Sequence, residues 1–289
     1  MLGFLERIDR RVTFLLMGLA VAIPILFPLR LTYQPSVLAQ QVFDTIDNLP
    51  SGSKVVFSFD YDPASMGELQ PMTSALLYHC ARKRHKLYCM ALWGPGRTIC
   101  SDAMESIVKK YEPSYAYGVD YVELGYQTGN EGVIKIAATD LRKQFKSDVR
   151  GTPLEAIPIM AGVNNLQAMD LLITVSAGFP GSKEWVQYFV TPFPGTKMVT
   201  GTTGVQSVSL YPYVPNQIAG MLGAIKGAAE YETIVNARYP VDGKPVPDLG
   251  EGERRMGPQL TAHLLMVGLI VLGNAIYFMQ RKARREGRR

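Results

Sequence analysis

Asp60 and Asp62 stand one residue apart at the end of an apolar run, VVFSFDYDPASM, that covers residues 55–66. Two carboxylates at a strand end can divide the work of nucleophile and general acid, or share a metal ion. A second group of chemistry-bearing residues lies in HCARKRHKLYC, which brings His79, Cys80, His85 and Cys89 close in sequence. All four types ligate zinc, but their spacing matches no zinc ribbon or finger, and the reading assigns no metal. Three cysteines, Cys80, Cys89 and Cys100, cannot complete a disulfide framework because the number is odd. They read as small buried apolar residues.

Candidate ligand-binding residues come from Gly-rich turns: Gly94 and Gly96 in WGPGRT, Gly129 and Asn130 in GYQTGNEG, Gly178 and Gly181 in SAGFPGSKEW, and Thr202 and Thr203 in TGTTGVQS. Such turns ahead of helices can present backbone N–H groups to an anion. No GxGxxG, GxxxxGK[ST] or GxSxG is present, so dinucleotide, Walker-type and serine-hydrolase fingerprints are missing. Of three histidines, His263 falls in an apolar run, which leaves His79 and His85 for imidazole chemistry. Their neighbours Arg82, Lys83 and Arg84 make the segment read as a solvated helix end.

An apolar strand followed by D-x-D resembles the first motif of haloacid-dehalogenase-type phosphotransferases, over about ten residues around Asp60 and Asp62. The resemblance implies Asp60 as nucleophile, Asp62 as general acid, Thr174 or Ser176 as the strand-end hydroxyl, and Lys183 as the basic residue. The chain departs from that pattern at Pro63, directly after the pair, and in KMVTGTTGVQS, which has no carboxylate for Mg²⁺. The clustered tyrosines Tyr111, Tyr115, Tyr117 and Tyr121, and the pair Tyr211 and Tyr213, read as packing or as a cleft lining.

The elements that must carry these residues alternate. Apolar runs predict strands at 54–59, 86–93, 120–126, 170–177 and 197–203, with amphipathic stretches between them. Helices are expected over 65–83, over 101–111 with Ser101 as N-cap, up to about Phe145, and over 183–190. A long closing helix is expected at 216–235, carrying Gly220, Gly223 and Gly227. That order is α/β: a mostly parallel, Rossmann-like or flavodoxin-like sheet with helices on both faces. In such sheets ligands bind beyond the carboxyl ends of the strands.

The 289 residues divide into an expected 1–11 cytoplasmic N-terminus, a transmembrane helix at 12–29, a stalk and docking helix at 30–53, the α/β domain at 54–235, a linker at 236–258, a second transmembrane helix at 259–280, and a basic cytoplasmic tail at 281–289. The first apolar run also has the outline of a signal peptide, although it continues well past its small residues. The net charge of +5 suggests nucleic acid until it is located. Residues 31–258 hold 20 Lys and Arg against 22 Asp and Glu, and the ends hold 10 against 3. Basic flanks of this kind put both termini in the cytoplasm and the domain outside, in a multi-pass cell-membrane protein. Gly18 and Ala22 form a small-xxx-small pair, and His263 and Asn274 are polar groups expected to face protein.

The partners expected are therefore the lipid bilayer and other copies of the chain, or a membrane complex, with no nucleic acid. The cofactor is unknown. Binding, scaffolding or assembly is the leading expectation. A membrane-tethered metal-dependent hydrolase or phosphotransferase using Asp60 and Asp62, and a membrane-anchored solute sensor, are the alternatives.

Overall fold

The computed structural model describes residues 9–27 and 34–286. One unit covers 33–252 and the other consists of the chain ends, 1–32 with 253–289.

In chain order the elements are α1 (Arg10–Leu26), α2 (Val37–Asp47), β1 (Lys54–Asp60), α3 (Met66–Arg82), β2 (Lys86–Ala91), α4 (Gly96–Ala103), β3 (Tyr121–Tyr126), α5 (Glu131–Thr139), α6 (Leu141–Gln144), β4 (Leu171–Ser176), α7 (Ser182–Trp185), β5 (Lys197–Thr202), α8 (Gly204–Leu210), β6 (Gly220–Gly223), α9 (Ala224–Arg238) and α10 (Glu251–Glu286). Met104–Lys109 and Val186–Val190 continue α4 and α7 as π-helical turns.

Six strands form one all-parallel sheet in the order β3-β2-β1-β4-β5-β6. The chain builds outward from β1 to β3, then crosses back to start β4 on the other side of β1. The direction therefore reverses between β1 and β4, where Asp60 and Ser176 lie opposite each other. A flavodoxin-type order would run 2-1-3-4-5, so that alternative is not the one realised. Every residue of β4 is buried, as is all of β1 after Lys54, which explains why these strands are apolar without alternation.

Five of the strands fall where the apolar runs predict them. The sixth, β6, replaces the first turns of the expected closing helix, which begins only at Ala224. Gly220 belongs to this strand and meets α2: a Cβ there would lie 2.6 Å from the Val42 nitrogen. The glycine thus permits a close backbone approach, between a strand and the docking helix rather than along a helix face. Helix α4 also starts earlier than expected, at Gly96, so Ser101 is no N-cap; its hydroxyl donates to Glu123 Oε2 at 2.5 Å.

Helix α2 buries Ala39, Val42, Phe43 and Ile46. Burying each of its larger apolar side chains contributes ~1.5–3 kcal/mol. It also covers the two histidines, both of which are fully buried and not the solvated pair the basic run suggested. His79 stacks on Phe43 with centroids 4.6 Å apart, and bonds to Tyr231 Oη at 2.7 Å and Asp47 Oδ1 at 3.2 Å. His85 Nε2 reaches the Ile46 carbonyl at 3.1 Å. The nearby cations are paired as well: Arg82 and Arg84 flank Glu112, and Lys83 lies 3.9 Å from Asp47. Burial pushes the His79 pKa down to about 4 against the pull of Asp47, so the ring is neutral at pH 7. Burial works to raise Asp47, but bonds from Tyr239 and His79 outweigh it and hold that carboxyl below its usual range.

The linker is shorter than expected and held in place. Val246 and Leu249 are buried, and Asn236 bonds to the Val246 nitrogen and the Leu249 carbonyl.

Among the described residues one helix, α10, is long and apolar enough to cross a membrane, over Glu251–Lys282. Helix α1 has 17 residues, and positions 28 and 29 of the first expected span lie outside the described residues. Asn274 donates to the Ile270 carbonyl on its own helix and is exposed, as is His263, so neither shows the protein-facing role expected of it. Gly18 also faces outward, with nothing within 4 Å of an added Cβ. Contact between α1 and α10 is made elsewhere. Pro24 lacks the N–H that would bond the Ala20 carbonyl, and the Thr261 hydroxyl donates to that carbonyl at 2.6 Å.

Candidate functional site

The carboxyl edge of the sheet, at the reversal between β1 and β4, is where this architecture places ligands. Asp60 reaches that edge and is fully buried there. Its Oδ1 accepts from the Leu92 backbone nitrogen at 2.8 Å, its Oδ2 accepts from Trp185 Nε1 at 3.1 Å, and the Ser58 hydroxyl donates between the two at 2.7 and 2.8 Å. Three donors from three elements make the carboxyl a joint between β1, the end of β2 and α7. Burial raises its pKa to about 7 in spite of those donors.

Asp62 does not share this environment. It accepts from the Ser65 nitrogen at 3.1 Å and the Ser65 hydroxyl at 3.0 Å, capping the short turn Pro63–Ser65 that leads into α3. Between them Tyr61 points inward and donates to Thr73 at 2.9 Å. Alternation would keep residues two apart on one face, but β1 ends at Asp60 and Asp62 already belongs to the turn, which separates them. The two carboxylates thus have separate duties.

Next to Asp60 the ends of β4 and β5 hold a cluster of buried hydroxyls. Thr174 and Ser176 lie 2.8 and 2.7 Å from Ser182, and Thr200 lies 2.9 Å from Thr174 and 2.7 Å from Ser182. Gln206 closes the cluster: its Oε1 accepts from Ser176 and Thr202, and its Nε2 donates to the Gly178 carbonyl at 2.9 Å. The hydroxyls satisfy one another, as buried polar groups must. Thr203 caps α8 by accepting from the Gln206 nitrogen.

The Gly-rich turns serve the same closure. At Gly96 an added Cβ would fall 2.0 Å from the Phe59 carbonyl, so helix α4 sits on the end of β1 where a phosphate would need room. Gly181 is buried against Ser176, and Gly178 lies under the Trp93 ring, whose Nε1 donates to the Pro180 carbonyl. Gly94, Gly129 and Asn130 are exposed in the outer turns. Lys183 is exposed, away from the buried Thr174 and Ser176 that the phosphotransferase resemblance would pair with it. Among the described residues no three His, Cys, Asp or Glu side chains are grouped to hold a metal ion. The three cysteines are free and buried.

Large apolar side chains also project from this edge. Phe179, in the turn after β4, is 63% exposed; on α8 and just beyond it Val205, Val208 and Tyr211 are 91%, 71% and 53% exposed. The bond from Gln206 to the Gly178 carbonyl ties the Phe179 turn to α8. Sequence reading missed this patch, although Val205 and Val208 stand i, i+3 in a helix with no other charged or apolar stripe to outweigh them. It also missed Ser58, whose partner Asp60 is two positions on, and Trp185 and Gln206, whose partners Asp60 and Ser176 are 125 and 30 positions away.

Comparison with known proteins finds no matching family model, no matching curated protein and no matching solved structure.

Proposed function

We propose that the chain is a two-span membrane protein whose α/β domain, Rossmann-like in strand order, lies outside the cytoplasmic face and works by assembly, pairing with further copies of itself through its carboxyl edge. The observation that carries this reading is the contrast at that edge. Asp60 and the hydroxyls of Thr174, Ser176, Ser182 and Thr200 are buried and bonded within the fold, while the large apolar side chains Phe179, Val205, Val208 and Tyr211 are exposed. An apolar cluster on an otherwise polar surface is the usual mark of a protein contact. The Thr261 to Ala20 bond between α1 and α10 supports a hairpin with both ends on one side. The basic flanks favour the cytoplasm for that side.

The test is the mass of the full chain in mild detergent. The wild type is expected to form oligomers, and the double variant Val205→Glu, Val208→Glu to run as a monomer with an unchanged circular dichroism spectrum. A monomeric wild type ends the proposal. The hydrolase alternative requires Asp60 to meet a substrate, and turnover of a phosphate ester by the wild type, lost in Asp60→Asn, is the result that would restore it.

A further inference from the structure

At the opposite, amino-terminal edge of the sheet lies a cavity of about 480 Å³, bordered by Val190, Thr191, Lys197, Asn216, Gln217 and Thr45 among others. A smaller one of about 230 Å³ adjoins it through the shared residues Thr45, Lys197 and Ala219. Helix α2 forms one wall of the smaller cavity with Gln41, Asp44, Thr45 and Asn48. This i, i+3, i+4, i+7 stripe is the polar side of the helix whose other side buries Val42, Phe43 and Ile46. The larger cavity alone is within the usual size of a small-molecule site.

Two groups here make no hydrogen bond or ion pair among the described residues. Gln41 Oε1 is shielded from solvent and accepts no hydrogen bond among the described residues. Lys197, the first residue of β5 and a border of both cavities, forms no ion pair or hydrogen bond through its ammonium among the described residues. Asp44, on the α2 wall, accepts only from Gln40 of its own helix at 2.8 Å among side chains. The two cavities thus share one cation without a protein partner among the described residues, Lys197, and the smaller is also lined by the Asp44 carboxylate; both side chains are exposed to an entering ligand.

We propose that these cavities form a binding site for a small zwitterion of amino-acid or dipeptide size. Its carboxylate meets Lys197 and its ammonium meets Asp44, while the amides of Asn216 and Gln217 face the remainder. The site joins α2 to the start of β5, so an occupant clamps the docking helix to the sheet. It is independent of the apolar patch and of the assembly reading.

The experiment is a thermal-shift titration of the full chain in detergent with L-alanyl-L-alanine and with a mixture of the twenty amino acids. A ligand that binds only the folded chain raises Tm in proportion to its occupancy. The expected result is a rise in Tm with at least one of these probes. Lys197→Met should then weaken that probe at least about tenfold. Removing the probe's ammonium by acetylation, or its carboxylate by amidation, should abolish the shift. No shift with any probe overturns the site, and so does a shift that Lys197→Met leaves unchanged. Should Lys197→Met fail to fold, Ala219→Phe, which fills the junction of the two cavities, carries the same comparison.

Discussion

At the carboxyl edge of the sheet a fully buried carboxylate, Asp60, takes hydrogen bonds from three donors, whereas at the amino edge the ammonium of Lys197 and the side-chain oxygen of Gln41 take part in none among the described residues. The first edge has the residue types of an active site and the second has an ordinary mixture. Accounting for partners reverses the expectation. A polar group whose bonds are all made within the fold is holding the fold together, and one whose bonds are unmade is free to take a ligand. Residue type shows what a side chain can do; its partners show what it has left to do.

The strongest way to break this contrast is Asp60→Ala, which strands the Leu92 N–H and the Trp185 indole N–H in a buried site. A loss of about 3–5 kcal/mol is expected in urea unfolding. If the midpoint hardly moved, Asp60 would not be the joint described. His79→Ala should cost about 2–4 kcal/mol, since it opens a cavity under Phe43 and strips Tyr231 and Asp47 of a partner. Thr200→Val removes one hydroxyl from the cluster at the strand ends, and a loss of about 1 kcal/mol is expected. Double-variant cycles with Thr174→Val should show that the two losses do not add. Lys197→Met, at the other edge, should leave the unliganded midpoint within about 0.5 kcal/mol. A larger drop would mean that this lysine too is spent on the fold.

The pH dependence sharpens the same comparison because two buried groups oppose each other. Asp60 has its pKa raised from 3.8 to about 7, so the folded chain keeps a proton that the unfolded chain releases. That contribution is complete below about pH 3.8 and is lost as pH rises to about 7. His79 is depressed from 6.5 to about 4, so its contribution is complete above pH 6.5 and is lost as pH falls to about 4. Asp60→Asn removes the first and leaves the second. Between pH 4 and 6.5 its stability should therefore rise with pH more steeply than that of the wild type. An unaltered slope would show that Asp60 is not titrating as its burial requires.

Five strands were legible in the sequence because parallel strands covered on both faces must be apolar throughout, and stretches such as DLLITVSA have little other use. Strand β6 was not, since GMLG is too short and too rich in glycine to show a period, and what makes it a strand is its pairing with β5. The roles at the carboxyl edge were hidden for a related reason. Asp60 meets Leu92 across 32 positions and Trp185 across 125, distances at which local pattern is silent. The run around His79 and His85 misled because its charges are local, while the cover that buries it arrives from Phe43 and Ile46 on α2.

Pro24 and Thr261 have a temporal meaning as well as a geometric one. Proline leaves the Ala20 carbonyl without its helical donor, and the hydroxyl that supplies one is 241 positions further along the chain. During synthesis α1 therefore carries an unmet acceptor until residue 261 has been added. On the two-span proposal no water can stand in, and the acceptor is met only when α10 arrives. Thr261→Val would leave the finished chain in the state of an unfinished one, and an enhanced sensitivity of its N-terminal helix to protease is the sign to look for.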